Sequence, residues 1–235
     1  MRQAGFTQLG RRLSGVGKRE AQRQLVLSVI IAAPEQDTAA FPALADAFAL
    51  FETTGIPGEV LLVGRSAALV LPEGLLRERP ELRVCIPRRT LSLPEALLLG
   101  AGEAVAPHVL LLEAETRLRF VDIRRLLALF SDPRLFAAGF CDEDDPRATG
   151  AAVREGRVRL LSRKTEAACP AFLLPGFAGV YDRERLLLLE PAGGPAAWPW
   201  READFFCRAW ARGWITMADP GSLVARAPAP LAEPA

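Results

Sequence analysis

The chain has no asparagine, one histidine (His108), and only two lysines, Lys18 and Lys164, among its 29 basic residues. A single histidine gives little support to a His-based metal cluster or a Ser/His/Asp triad. The arginine excess and the missing asparagine read as coding bias, so a lost Asn need not mark a lost function. Cys85, Cys141, Cys169 and Cys207 are separated by 56, 28 and 38 residues, with no close pair of the kind that zinc or redox motifs use. They are expected to be buried, reduced thiols. Neither G-x-G-x-x-G nor a P-loop is present, so there is no Gly-rich phosphate cradle. No apolar run approaches the ~18 residues needed to cross a bilayer, and the first residues lack the apolar block of a secretory signal. The expectation is therefore a cytoplasmic protein with no transmembrane segment. With 29 basic and 28 acidic side chains the net charge is +1, which makes no electrostatic case for a nucleic-acid partner.

What is there suffices for a sizeable core: 235 residues, half of them hydrophobic, which excludes wholesale disorder. Residues 1–24 form a basic leader, expected to be partly disordered. Its Arg11, Arg12, Lys18, Arg19 and Arg23, with Phe6 and Leu9, leave room for peripheral contact with an anionic membrane surface as well as for a solvated leader. Residues 25–33, LVLSVIIAA, read as a strand buried on both faces, which implies a parallel sheet. Further strands are expected at 59–64, 82–87, 109–113 and 135–140. Helices are expected after residue 41, near 73–78, over 91–107 and 119–130, and from about Arg201 to Arg212. This alternation predicts an α/β fold, a mainly parallel central sheet flanked by helices. The alternation stops after Cys141, where AAVREGRVRLLS suggests a hairpin turning at Glu155 and Gly156. One domain is expected over 25–226, with a loose Pro/Ala tail over 227–235.

In open α/β sheets ligands gather at the carboxyl ends of the strands. At one such end, LLLEAETRL carries Glu113 and Glu115 with one residue between them. In extended backbone both carboxylates would point the same way and repel unless a cation or a cluster of donors intervened. Mg²⁺ or Mn²⁺ with a diphosphate would serve. The competing reading has Glu115 capping the next helix and Glu113 binding backbone amides or an arginine. In AAWPWREADFFCRAWARGW, Glu202 and Asp204 fall near a helix start, where the macrodipole alone can explain acidic residues; a general base is the other explanation. Trp198 and Trp200 suit either packing or stacking on a sugar ring. DEDD at 142–145 reads as a solvated turn ahead of Pro146.

Taken in order, these segments resemble the family 2 glycosyltransferases, which have the GT-A nucleotide-diphospho-sugar transferase fold, over roughly residues 25–226. LSVIIAA is similar to the family's SVIIPxYN, EVLLVGRSA to EVIVVDxGS, LLLEAETRL to LLxDADTxL, and READFFCRAWARGW to EDxDLxxRxxxAGW. Gly100 falls where the helix before the metal motif has its glycine. LLPGFAGVYDRERL is similar to a late stretch in which a small-residue turn precedes an Arg-Glu pair, here Arg183 and Glu184.

The resemblance implies transfer of a sugar from a nucleotide diphospho-sugar to an acceptor hydroxyl on a glycan, lipid or peptide, with inversion. Glu113 and Glu115 would hold a divalent metal, Mn²⁺ or Mg²⁺, Glu202 would act as base and Asp204 would assist it. Ala32, Ala33, Glu35, Gly64, Ser66, Glu113 and Ala114 would bind the donor, and Gly176 and Trp200 the acceptor. The departures are concentrated at the nucleotide. Ala32, Pro34 and Glu35 stand for Pro, Tyr and Asn, Gly64 for the base-reading aspartate, and Leu98 for an asparagine. Arg226 lies near the position of a closing histidine. A glycosyltransferase-shaped binding or scaffold protein without turnover is therefore the alternative.

Overall fold

The computed structural model describes residues 7–8, 25–33, 40–69, 71, 74–79, 81–142, 147–154, 157–174, 177–189 and 200–226. The element order is β1 (Thr7–Gln8), β2 (Leu27–Ala33), α1 (Ala40–Thr54), β3 (Gly58–Gly64), α2 (Leu75–Glu78), β4 (Leu82–Ile86), α3 (Leu93–Glu103), β5 (His108–Glu113), β6 (Thr116–Phe120), α4 (Ile123–Leu129), β7 (Leu135–Asp142), β8 (Arg147–Arg154), β9 (Arg157–Lys164), β10 (Cys169–Pro170), β11 (Gly179–Asp182), α5 (Arg183–Leu188), α6 (Trp200–Ala211) and β12 (Ile215–Arg226). A ten-stranded sheet runs β1-β4-β3-β2-β5-β11-β7-β12-β10, with β6 also on β12; β8 and β9 form a separate hairpin.

Strands β4, β3, β2 and β5 are mutually parallel. Beyond β5 the sheet is mixed. β11 is antiparallel to both β5 and β7, β12 is parallel to β7, and β6 and β10 are antiparallel to β12. The parallel character expected from the buried runs is thus confined to the first half of the sheet. The basic leader contributes β1, which pairs antiparallel to β4.

Side chains alternate between two buried layers, as the pleat requires. Val29, Ile31 and Ala33 of β2, Val60 and Leu62 of β3, and Leu110 and Leu112 of β5 meet Leu44 and Phe48 of α1 and Ile123 and Leu126 of α4. Ile30 and Ala32, Leu61 and Val63, and Val109 and Leu111 meet Leu97 and Ala101 of α3 and Phe205, Phe206 and Ala209 of α6. Rings anchor α6: Phe205 lies 5.3 Å from Phe177 and 5.8 Å from Phe136, and Phe206 lies 6.1 Å from Phe177.

Helix α3 starts on a polar clasp. The backbone N–H and hydroxyl of Ser92 both donate to Glu95 at 2.8 Å, and Arg89 donates to the other Glu95 oxygen at 2.8 Å. The Arg89 hydrogen bond leads in holding the Glu95 carboxyl down at about 2, with the Ser92 donors adding to it.

Farther along, α3 lies so close to β2 and β3 that a Cβ on Gly100 would sit 2.3 Å from Ile30 Cγ2 and 3.0 Å from Val63 Cγ2. Both neighbours are β-branched and stiff at χ1. Overpacking of this kind costs about 1–3 kcal/mol, and a 2.3 Å contact belongs at the top of that range. Gly100→Ala is therefore expected to destabilise even after the ~1 kcal/mol gained in helix propensity. Gly102→Ala, with nothing within 4 Å, should stabilise. Opposite shifts of the urea midpoint are the expected result, and stabilisation by both would show that α3 is not seated on the sheet.

Two expectations need correction. Residues 119–130 are not one helix, since 116–120 form β6 and the helix starts at Ile123. The cause is Asp46 of α1. It accepts from Arg117 Nε at 2.7 Å, Arg117 Nη2 at 3.0 Å and the Leu118 N–H at 2.9 Å, tying the chain after Glu115 into an extended form. The thiols also differ from expectation. Cys85 and Cys141 are buried, and burial pushes Cys85 up to about 11, but Cys207 is exposed. His108 behaves as a packing residue. It begins β5 at the far end from the strand carboxyl termini, 4.7 Å from the Phe130 ring, and burial lowers its pKa. No helix among the described residues is long and apolar enough to cross a membrane.

Candidate functional site

The same alternation that builds the core builds the site. Glu113 continues the series Val109, Leu111 along β5, and Arg65 continues Leu61, Val63 beyond β3. Both therefore reach the α3/α6 face just past the last apolar residue, alongside Ala32 of β2, which is registered with Glu113 and Val63. Ala32, Arg65, Leu93, Glu113, Ala114 and Glu115 together line a small open hollow. Glu113 is half-buried, with Oε1 buried, and Glu115 is exposed. The two carboxylates do not sit in extended backbone as expected. Glu113 ends the strand and Ala114–Glu115 make the turn into β6. Glu115 therefore caps no helix, which removes half of the purely structural explanation.

Three of the expected donor-site residues, Ala32, Glu113 and Ala114, line this hollow, together with Glu115, the second expected metal ligand. Ala33 and Gly64 are at the same strand ends but belong to the opposite alternation: Ala33 is buried in the α1/α4 layer. A Cβ on Gly64 would lie 3.1 Å from Ser66 O and 3.2 Å from Leu69 Cβ, so buried Leu69 borders the space an aspartate would need there. Ser66 closes the local turn, its hydroxyl accepting the Ala68 N–H at 3.2 Å. Glu35 and Gly176 lie outside the described residues, as do residues 143–146 of the acidic run.

Helix α6, which carries the acidic pair of the late segment, packs on the face of the sheet that bears the hollow. It is followed after Trp214 by β12, whose first residue Ile215 pairs with Leu135 at the start of β7, the far end from the hollow. Twelve residues of helix rise about 18 Å, and Phe205 and Phe206, three and four residues past Glu202, pack on Phe136 and Phe177. Only the backbone of Trp200 and Glu202 is described. Asp204 is exposed and its carboxylate is held 3.1 Å from Arg208 Nε, one helical turn on.

Sequence reasoning missed Arg65 and Leu93. Arg65 was legible in principle, as a cation lying between two residues already assigned to the donor. Its orientation depends on Leu91, twenty-six residues away. Arg65 Nε donates to Leu91 O at 3.3 Å, and the Leu91 N–H donates back to Arg65 O at 2.6 Å. Leu93 enters because the Ser92–Glu95 clasp fixes where α3 begins.

No family model and no curated protein matches the chain. Solved structures do. A crystal structure of GalNAc-T7 with UDP, GalNAc and Mn²⁺ superposes with a TM-score of 0.63 at 17% identity, over 87% of this chain and 44% of that one. The fold is that of the GT-A glycosyltransferases. The chain spans less than half the length of that neighbour. The hollow lies at the strand carboxyl ends, where open α/β sheets bind ligands.

The hollow's donor set bears on a metal ion. Among the described residues no three His, Cys, Asp or Glu side chains cluster to form a cage. Mg²⁺ commonly takes only one or two protein carboxylates, and substrate phosphates and water fill its other positions. Glu113 and Glu115 on one hollow fit that pattern, for Mg²⁺ or for Mn²⁺ bound the same way.

Proposed function

We propose that the protein transfers a sugar from a nucleotide diphospho-sugar to an acceptor hydroxyl, as the family 2 motifs imply. The observation that carries this reading is the convergence of Ala32, Glu113, Ala114 and Glu115, from two parallel strands and the turn after them, on one open hollow. The neighbour's UDP, GalNAc and Mn²⁺ favour the same class of donor and a divalent ion. Helix α3 also starts at this end of the sheet, its first residue Leu93 lining the hollow, and its dipole favours an anionic ligand there.

In this reading Glu113 and Glu115 hold the divalent ion, and Ala32 and Ala114 give the donor close approach to backbone. When bound, the ion supplies positive charge to the departing diphosphate. Glu202 accepts the proton of the acceptor hydroxyl as its oxygen bonds to the anomeric carbon. The bond from that carbon to the diphosphate breaks on the opposite side, its electron pair leaving with the diphosphate, and the configuration inverts. Trp200 and Gly176 border the acceptor, a glycan, lipid or peptide.

Because the protein offers the ion only two carboxylates, Mn²⁺ alone should bind weakly, and a nucleoside diphosphate should tighten it. Linkage requires Mn²⁺ to tighten the nucleotide by the same factor, about 5–150-fold for typical couplings. Titration calorimetry with UDP and GDP, each with and without Mn²⁺, tests this. No binding of either nucleotide at millimolar concentration would overturn the reading. The scaffold alternative is favoured by one observation, Leu69 against Gly64. It predicts that Glu113→Gln with Glu202→Gln leaves the cellular role intact, whereas transfer chemistry predicts the phenotype of a gene deletion.

A further inference from the structure

The donor must lie across the sheet in one direction. Strand order places α6 and its Glu202 backbone over the β11 and β7 side of β5, because Phe205 and Phe206 pack on Phe136 and Tyr181. The opposite side of β5 leads through β2 to β3. If the diphosphate is held at Glu113 and Glu115 and the sugar faces α6, the nucleoside extends toward β3. Two strand spacings, about 10 Å, separate the Glu113 backbone from that of Arg65. This is room for a ribose and leaves the base at the arginine.

Arg65 is prepared for such a contact. The Leu91 carbonyl fixes its Nε, and neither Nη1 nor Nη2 has a hydrogen bond or ion pair among the described residues. Among the described residues it is also the only cation lining the hollow. A guanidinium donates only and presents its N–H groups as a planar fork. It matches a base edge with two adjacent acceptors, N7 and O6 of guanine or N3 and O2 of cytosine. The uracil edge sets a donor, N3–H, between its two oxygens. A carboxylate would suit that donor and a guanidinium opposes it. The flank of Gly64, where a carboxylate would stand, is bordered by Leu69.

We propose that Arg65 is the specificity-determining residue of the nucleotide site and selects a donor whose base offers two adjacent acceptors, guanine or cytosine, against uracil. This rests on the transferase reading above and extends it to the class of nucleotide.

The test is calorimetry of the full chain with GDP, CDP, UDP and ADP at saturating Mn²⁺, repeated for R65K and R65M. Circular dichroism and thermal melting check that each variant is folded. GDP or CDP should bind at least roughly tenfold tighter than UDP, the discrimination that one bidentate pair provides, and the GDP and CDP arms identify which base is read. Both variants should lose that preference while keeping their affinity for UDP. R65K separates base reading from simple attraction of phosphate, since it keeps the charge and loses the fork. UDP binding as tightly as GDP and CDP, or a uniform weakening of all four nucleotides in R65M with R65K unaffected, would overturn the inference and leave the transferase reading standing. Failure of every nucleotide to bind would overturn both.

Discussion

Replacing Glu59 by alanine is expected to cost several kcal/mol of folding stability, about 1–3 kcal/mol for each buried donor left without an acceptor. Glu59 lies on β3 at the end of the sheet away from the hollow and is 7% exposed. One of its oxygens accepts from the fully buried Ser28 hydroxyl at 2.8 Å and from the Val105 N–H at 2.9 Å; the other accepts from Arg83 at 2.7 Å. Ser28 in turn accepts the Ala106 N–H at 3.2 Å, and Arg83 also donates to Glu103 O at 3.0 Å. A single carboxylate thus joins β2, β3 and β4 to the loop that carries the chain from α3 into β5. Alanine would leave the Ser28 hydroxyl and the Val105 N–H without their acceptor, while Arg83 would keep as its ionic partner the Glu103 carboxylate, 3.7 Å away.

The converse change is milder. Arg83 is 32% exposed, and in Arg83→Met the carboxylate keeps two donors, so water and those donors together limit the loss. Urea denaturation of E59A, R83M and the double variant measures the asymmetry, and the double variant should recover part of what E59A loses. Equal losses from the two single variants would show that the buried carboxylate left without Arg83 costs as much as the donors left without Glu59.

The first half of the sheet was legible because its strands are covered on both faces, so LSVIIAA, EVLLVG and VLLLE are apolar runs in which Ser28 and Glu59 satisfy each other and Glu113 comes only at the end that opens on the hollow. The second half was hidden for three physical reasons. β11 is only Gly179–Asp182, too short for a periodic signal. β6 owes its extended form to Asp46, some seventy residues earlier. β12 contains Asp-Pro-Gly, which reads as a turn, yet the strand continues through it as an irregularity between Asp219 and Leu223. There Asp219, fully buried, accepts from Ser222 Oγ at 2.9 Å and is paired with Arg125 at 3.0 Å. Those two side-chain contacts let a strand carry a sequence that alone would end it. The site divided along the same line. Glu113 and Glu115 stand out as carboxylates ending a hydrophobic strand, whereas Arg65 and Leu93 became site residues only through the loop from β4 to α3.

Glu202→Gln is expected to lower turnover by about 10²–10⁴-fold, the contribution of a general base, with nucleotide binding unchanged. Glutamine keeps the length and polarity of the side chain and removes only the ability to take a proton, so the loss should appear in kcat and not in KM for the donor. Asp204→Asn provides the contrast. Its carboxylate is exposed and already held by Arg208 one turn away, and exposed helix pairs of this kind contribute only about 0.3–0.5 kcal/mol. If Asp204 shares in proton transfer its loss will approach that of Glu202; if it only braces α6 the rate will fall little. Glu115→Gln should differ from both by weakening the mutual tightening of Mn²⁺ and nucleotide, because it removes one of the two carboxylates on the hollow. The variants therefore separate a base from an ion ligand by where the defect appears: in the rate alone for Glu202, in the coupling for Glu115. Wild-type turnover by the Glu202→Gln protein would place the base on another residue, and a coupling unchanged in Glu115→Gln would remove that carboxylate from the ion.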